Sequence, residues 1–93
     1  MQNIVEDIMN GKSVDLEIIE GNGNRIHNLI FELKRMGPCL ELRSNTYILP
    51  DNKTRATLSL RRHSDSLQSM RGALERAFET TNLTITRQPS KTP

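Results

Sequence analysis

Residues 13–42, SVDLEIIEGNGNRIHNLIFELKRMGPCLEL, contain two changes of hydrophobic period. Apolar and polar residues alternate over 14–18, which is the period of a β-strand with one solvent-facing side. After a glycine-rich loop and a capping Asn24, apolar residues recur at helical spacing over 26–33. Gly37 is typical of a helix C-terminus, and alternation then resumes. The stretch predicts a strand, a helix and a second strand in succession.

The rest of the chain predicts three further elements. The second strand extends toward Ile48, and the turn-forming residues 50–53 reverse the chain into an antiparallel third strand over 55–61. An amphipathic helix follows, opened by a capping-box spacing over 65–68. Its apolar stripe consists of Leu67, Met70, Leu74, Ala77 and Phe78. Alternation over 83–86 predicts a short last strand.

This order predicts an α+β fold of the ferredoxin-like, split βαβ type, behind a short N-terminal helix. We expect a four-stranded antiparallel sheet with two helices packed on one face, and the first and third strands as central neighbours. We assign residues 1–11 to the short helix, as an appendage outside the core, and 12–87 to the single domain. Residues 88–93 read as a disordered tail.

Composition limits the core and suggests assembly. The chain has 93 residues, of which 34% are apolar, and its aromatic residues are Phe31, Tyr47 and Phe78. A core this small often gains stability from association, so we expect a homodimer or a protein partner. Residues 1–46 carry a net charge of −2 and residues 47–93 a net charge of +4. The two halves either pair with each other or offer a basic surface to nucleic acid.

The sequence also indicates a compartment. Cys39 is the single cysteine, which excludes an intramolecular disulfide. Glu6 and Asp7 interrupt the apolar residues near the N-terminus, where a signal peptide needs an unbroken run. No apolar run approaches the length of a membrane-spanning helix. We expect a soluble, cytoplasmic protein.

The glycine-rich loop between the first strand and the first long helix is a candidate ligand site. It lacks the third glycine of a dinucleotide fingerprint, where Ile26 stands instead, and it lacks the lysine of a phosphate-binding P-loop. Its backbone amides at a helix N-terminus could still receive an anion. The candidate residues are Gly21, Asn22, Gly23, Asn24 and Arg25. The competing interpretation is that the glycines only provide a tight connection.

The sequence gives little support for a metal site or a catalytic site. Cys39, His27 and His63 are scattered singly, without the paired spacing of zinc ligands. Ser64 and Ser66 lie beside His63, but residues adjacent around a helix start do not make a catalytic triad, and capping explains them better. We expect a non-enzyme without a cofactor or metal.

Nucleic-acid binding is the main alternative. The third strand and second long helix carry a possible basic stripe, made of Arg55, Arg61, Arg62, Arg71 and Arg76. Proteins that bind single-stranded nucleic acid stack the bases on aromatic side chains, and the open face of the predicted sheet offers Tyr47 alone. The composition therefore favours weak phosphate contact over base recognition.

In element order and in the strand-loop-helix position of Gly21 to Asn24, residues 13–87 resemble small regulatory modules of the ACT type. Glu20-Gly21-Asn22-Gly23 stands where that family has an acidic-x-Pro-Gly sequence. The resemblance implies a side-by-side dimer with a small ligand near this loop. Our leading hypothesis is a small non-catalytic regulatory or protein-interaction module. The alternatives are a nucleic-acid binder and an inhibitor or adaptor that masks a larger protein.

Overall fold

The structure is a computed structural model that describes residues 4–63 and 70–88. The elements are α1 (Ile4–Met9), β1 (Val14–Glu20), α2 (Gly23–Lys34), a 3-10 turn (Gly37–Cys39), β2 (Leu40–Ile48), β3 (Thr54–Arg62), α3 (Met70–Thr81) and β4 (Ile85–Gln88). Several predictions fall outside the described residues. They are the capping box over 65–68, Leu67 of the apolar stripe, the serines at 64 and 66, and the tail residues 89–93.

The protein has an α+β fold with a four-stranded antiparallel sheet in the order β2-β3-β1-β4. β1 pairs with β3 over its whole length, so the expected central neighbours are confirmed. β2 pairs with β3, and β4 pairs with the other side of β1. Each strand is antiparallel to its neighbour, and α2 and α3 connect strands separated by one intervening strand. β4 includes Gln88, one residue beyond the predicted domain boundary.

The helices cover one face of the sheet, and the core lies between them. The predicted alternation places Val14, Leu16 and Ile18 of β1 on this face, with exposed fractions of 1% or less. The same period buries Thr54, Ala56, Leu58 and Leu60 of β3. The apolar stripes of the two long helices face them, with Ile26, Leu29, Ile30, Leu33, Met70, Leu74, Ala77 and Phe78 all buried. Helical and strand periods in the sequence therefore located the core correctly.

The short helix α1 belongs to this core, which corrects its assignment as an appendage. Its apolar residues Ile4, Val5, Ile8 and Met9 are all buried in the main cluster. Arginines from three other elements bind it. Arg62 donates to the carbonyl of Met9 at 2.7 Å, and Arg71 donates to Glu6 at 2.7 and 3.0 Å. Arg87 forms an ion pair with Asp7 at 2.6 Å. Burial of one helix face and these contacts hold α1 against α3 and the sheet.

Turn chemistry sets the chain reversals. In the β2–β3 turn, Asn52 has a left-handed φ of 67°, and the Asp51 side chain accepts from the amide of Lys53 at 3.2 Å. α2 ends at Lys34 with Arg35 as its C-cap, so the predicted terminating Gly37, at a φ of 59°, lies three residues beyond the helix and opens the 3-10 turn instead. α2 begins at Gly23, two residues earlier than predicted, because Asn22 and not Asn24 is the N-cap. Among residues 4–63 and 70–88, no helix has the length and apolar character needed to cross a membrane.

Candidate interaction surface

No helix of the described chain covers the second face of the sheet. Side chains of β1, β2 and β3 that alternate with the core residues lie here, half-buried or exposed. They are Asp15, Glu17, Ile19, Glu41, Arg43, Asn45, Tyr47, Arg55, Thr57, Ser59 and Arg61. The strand register aligns them in rows across the sheet. We refer to this surface as the open face.

Exposed apolar side chains gather at the end of the sheet next to the β2–β3 turn. One row of the open face runs Tyr47, Arg55, Ile19, because Arg55 pairs with both neighbours in the register. Tyr47 is 46% exposed and Ile19 43% exposed, while Ile48, the next residue along β2, is 71% exposed on the other face of the sheet at the same end. We call Ile19, Tyr47 and Ile48 the sheet-end patch.

Arg55 holds the centre of this patch in place. Its guanidinium carbon lies 5.7 Å from the centroid of the Tyr47 ring, within the range of a cation–π contact. Its Nε donates to Glu17 Oε2 at 2.5 Å, in an ion pair that is only partly exposed. Gln88 also donates to Glu17, at 3.4 Å. The arginine charge is therefore neutralised within the sheet, and the apolar side chains beside it remain accessible.

The opposite end of the open face is polar. A depression of about 280 Å³ is lined there by Ser13, Asp15, Glu41, Arg43, Ser59, Leu60 and Arg61. Ser59 donates a hydrogen bond across the strands to Asp15. The lining carries two carboxylates and two guanidinium groups, so the depression has no dominant charge with which to attract a simple anion or cation.

The structure brings the five candidate residues 21–25 together at the start of α2, with residues 23–25 inside its first turn, but their contacts serve the fold. The Asn22 side chain accepts from the amide of Asn24 at 2.9 Å, which caps α2. Neither Gly21 nor Gly23 has a positive φ. A Cβ atom on Gly23 would lie 2.8 Å from Oγ1 of the buried Thr54, whereas one on Gly21 would meet nothing within 4 Å. Close packing on β3 thus explains the second glycine.

Arg25 links the same loop to the far end of α3. Its guanidinium donates to the carbonyls of Thr81 and Asn82 at 2.9 and 2.6 Å. It also contacts the Glu20 carboxylate at 3.3 Å. The side chain therefore binds the carbonyl of Thr81, the last residue of α3, and that of Asn82 just beyond it, at the end where a helix leaves carbonyls without amide partners. The sequence had offered Arg25 as a ligand contact and gave no sign of this role.

The five arginines of the proposed basic stripe do not share one surface. Arg55 and Arg61 lie on the open face, whereas Arg62 and Arg71 bind α1 on the helix side. Arg76 lies on α3, where it lines a groove against α2. Acidic partners from the first half of the chain contact Arg55 and Arg71. Part of the charge asymmetry is thus matched inside the molecule, in the direction that one of the two sequence interpretations expected.

The remaining candidate residues lie apart. His27 and His63 are exposed, and the described residues contain no group of three or more potential metal ligands. Cys39 is a half-buried free thiol. It lines the α2–α3 groove of about 370 Å³, together with Glu32, Arg35, Met36, Met70, Ala73 and Arg76. The hydrogen bond from Arg71 lowers the pKa of the exposed Glu6 carboxyl below its usual value.

Sequence reasoning placed Tyr47 on the open face but did not identify the patch. Two signals were available in the pattern. Ile19 follows Ile18 directly, so one of the two must lie on the polar face of β1. Ile48 precedes the turn at the end of an edge strand, beyond the reach of the helices.

The chain matches no family model and no curated protein. Among solved structures, it is similar to the de novo designed protein Foldit4, with a TM-score of 0.55 and 16% identity over 87% of this chain and 97% of that one. The de novo designed protein Ferredog-Diesel aligns with a TM-score of 0.48 and 17% identity, over 85% of this chain and 86% of that one. The likeness to Foldit4 concerns the fold alone.

Proposed function

We propose that this protein is a small non-catalytic protein-interaction module that binds its partner through the sheet-end patch. The observation that supports the proposal is the exposure of Ile19, Tyr47 and Ile48 at one end of the sheet. Single exposed apolar residues are ordinary, but a group at one location is typical of an interaction site. Covering apolar surface contributes roughly 25 cal/mol per Å² before the costs of association are subtracted.

Arg55 and Tyr47 suit this patch to a protein partner. Tyrosine and arginine are enriched at the energetically important positions of interfaces. Here the arginine is already held by Glu17 at 2.5 Å and stacked on the tyrosine. Less side-chain freedom therefore remains to be lost when a partner binds.

We propose the ferredoxin-like, split βαβ arrangement as the framework for this function. The order β2-β3-β1-β4, with neighbouring strands antiparallel, supports it. In this arrangement each long helix crosses from one strand to another that lies two positions away in the sheet. Both crossings use the same face, which leaves the open face and the edge of β2 for contacts.

The absence of catalysis is part of the proposal. The Ser59 hydroxyl bonds Asp15, but both residues line an open depression where water competes for their contacts. The pKa shift of Glu6 arises from an exposed ion pair with Arg71 and serves α1. Neither arrangement provides the water-excluding geometry that acid–base or nucleophilic catalysis requires.

Capture from a host extract, with a matched control, tests the proposal. A tagged protein carrying both Tyr47→Ser and Ile48→Ser should lose the partner that the wild type retains. Phe31→Ser is the control, since Phe31 is 63% exposed but lies on α2, away from the open face. Circular dichroism should show that both variants fold. Equal capture by the double variant and the wild type, or equal loss with Phe31→Ser, would contradict the proposal.

Nucleic-acid binding is the second candidate, supported by Tyr47 and two arginines, Arg55 and Arg61, on the open face. It predicts RNA or DNA binding that weakens steeply as salt is added.

A regulatory module that binds a small ligand at residues 21–25 is the third candidate, and it predicts a retained small-molecule mass in native mass spectrometry. An inhibitor or adaptor role would appear instead as one stoichiometric protein partner.

A further inference from the structure

The free edge of β2 has a defined set of outward-facing backbone groups. The amide of Leu49 donates to Lys53 at 2.8 Å, and the carbonyl of Cys39 accepts from His63 at 2.9 Å. Antiparallel pairing alternates, so odd-numbered residues between these points bond β3 and even-numbered residues turn their N–H and C=O groups away. The outward-facing residues are Leu40, Leu42, Ser44, Thr46 and Ile48. No strand among the described residues pairs with this side.

The second half of this edge strand, residues 44–48, lacks the usual protection against further pairing. Natural proteins shield edge strands with proline, lysine, bulges or short length. β2 has 9 residues against 4 in β4, the other edge strand. Its register with β3 is continuous, without a bulge. Residues 44–48, SNTYI, contain no charge and no proline, and they include β-branched and aromatic side chains that favour strands.

The sequence of β2 is complementary to itself in one antiparallel register. A two-fold axis at Ser44 overlaps the whole strand with its copy. On the helix side, the 71%-exposed Ile48 then lies opposite Leu40 of the second copy. On the open face, Tyr47 lies opposite Glu41 of the second copy, whose carboxylate can accept from the tyrosine hydroxyl. Like charges do not face each other, whereas an axis at Arg43 would place that arginine opposite itself.

We infer that the β2 edge binds the β2 edge of a second copy of this chain, joining two sheets into one continuous antiparallel sheet. The inference rests on the proposed function, because Tyr47 and Ile48 belong to the sheet-end patch, and it identifies the partner. Such a dimer is isologous, since the same strand contributes to both sides of the interface. Main-chain hydrogen bonds supply the contact, and the alternating side chains set the register.

Analytical ultracentrifugation over a wide concentration range tests the inference. The wild type should sediment with twice the 10.6 kDa chain mass at high concentration. Thr46→Pro removes the outward-facing amide of residue 46 while leaving the hydrogen bonds between β2 and β3. Because that amide would bond the second copy, the dimer dissociation constant should rise by about tenfold or more. Thr46→Val is the matched control, because it keeps the amide and the branched shape, and it should remain dimeric.

Hydrogen exchange of the wild type provides a test that needs no variant. The amides of Ser44 and Thr46 should exchange about tenfold more slowly at concentrations that favour the dimer. A wild type that stays monomeric, or a dimer in which these amides exchange as fast as in the monomer, would overturn the inference. A monomer that still captures a host protein through Tyr47 and Ile48 would refute the second-copy inference and leave the proposed function standing.

Discussion

Replacing Gly23 by alanine tests whether the glycine-rich loop is a packing element or a ligand site. The added Cβ would lie 2.8 Å from Thr54 Oγ1 and 3.4 Å from Thr54 Cβ, with Thr54 only 5% exposed. A short, buried side chain cannot swing aside, and overpacking of this kind costs about 1–3 kcal/mol. The better helix propensity of alanine returns at most about 1 kcal/mol. We expect a net loss of about 1–2 kcal/mol.

Urea denaturation at one fixed protein concentration measures this loss. With an m-value of about 1 kcal/mol/M, typical of the smallest domains, the midpoint should fall by about 1–2 M. Adding Thr54→Ala removes the obstructing atom, so the double-mutant cycle should return a coupling of about 1 kcal/mol or more.

Gly21→Ala is the matched control for this experiment. Its Cβ would meet nothing within 4 Å, and its φ is not positive. The substitution should leave the protein's stability unchanged or raise it by up to about 1 kcal/mol, because alanine lowers the conformational entropy of the unfolded chain. If Gly23→Ala proves as harmless as Gly21→Ala, or if Thr54→Ala gives no rescue, the packing explanation is wrong.

Three further predictions concern α1 and Arg25. Ile8→Ala should destabilise by about 2–4 kcal/mol in the same assay, because Ile8 is fully buried; a loss below about 0.5 kcal/mol would restore α1 as an appendage. Glu6→Gln should lower stability at neutral pH. Arg71 lowers the Glu6 pKa in the folded state, so this difference should begin to shrink as the pH falls below 4.5, the ordinary value, and should vanish once the pH is below the lowered pKa; a difference independent of pH would refute it. Arg25→Ala should lower the free energy of unfolding by about 1 kcal/mol, a figure that allows for the partial exposure of the Arg25 side chain. His27→Ala, at an exposed position of the same helix, should leave the free energy of unfolding unchanged. Equal losses for the two variants would contradict the capping role of Arg25.

The sequence was sufficient to predict the sheet and the two long helices, because their hydrophobic patterns repeat regularly over many residues. It was insufficient for α1, whose six residues carry the same apolar pattern whether the helix packs or not. Its position depends on Arg62, Arg71 and Arg87, which approach from distant parts of the chain. A local pattern does not contain that information.

The candidate sites were harder to predict for a related reason. Asn22 and Asn24 are equally good caps, and long-range packing of Gly23 on Thr54 accompanies the choice between them. Arg25 bonds carbonyls 56 and 57 residues away, so its capping role has no local signature. Exposure of the sheet-end patch depends on where the helices stop covering the sheet, which is again a property of the assembled fold.

Hydroxyl-radical footprinting of the protein in its host extract, compared with the purified protein diluted to a monomer, reports whether a partner covers the sheet-end patch. We expect oxidation of Tyr47 and Ile48 to fall in the extract while that of Phe31 does not change. All three side chains are exposed, at 46%, 71% and 63%, so each should react readily when uncovered. Protection of Phe31 with Tyr47 and Ile48 still reactive would show that partners bind elsewhere and would contradict the assignment of the sheet-end patch.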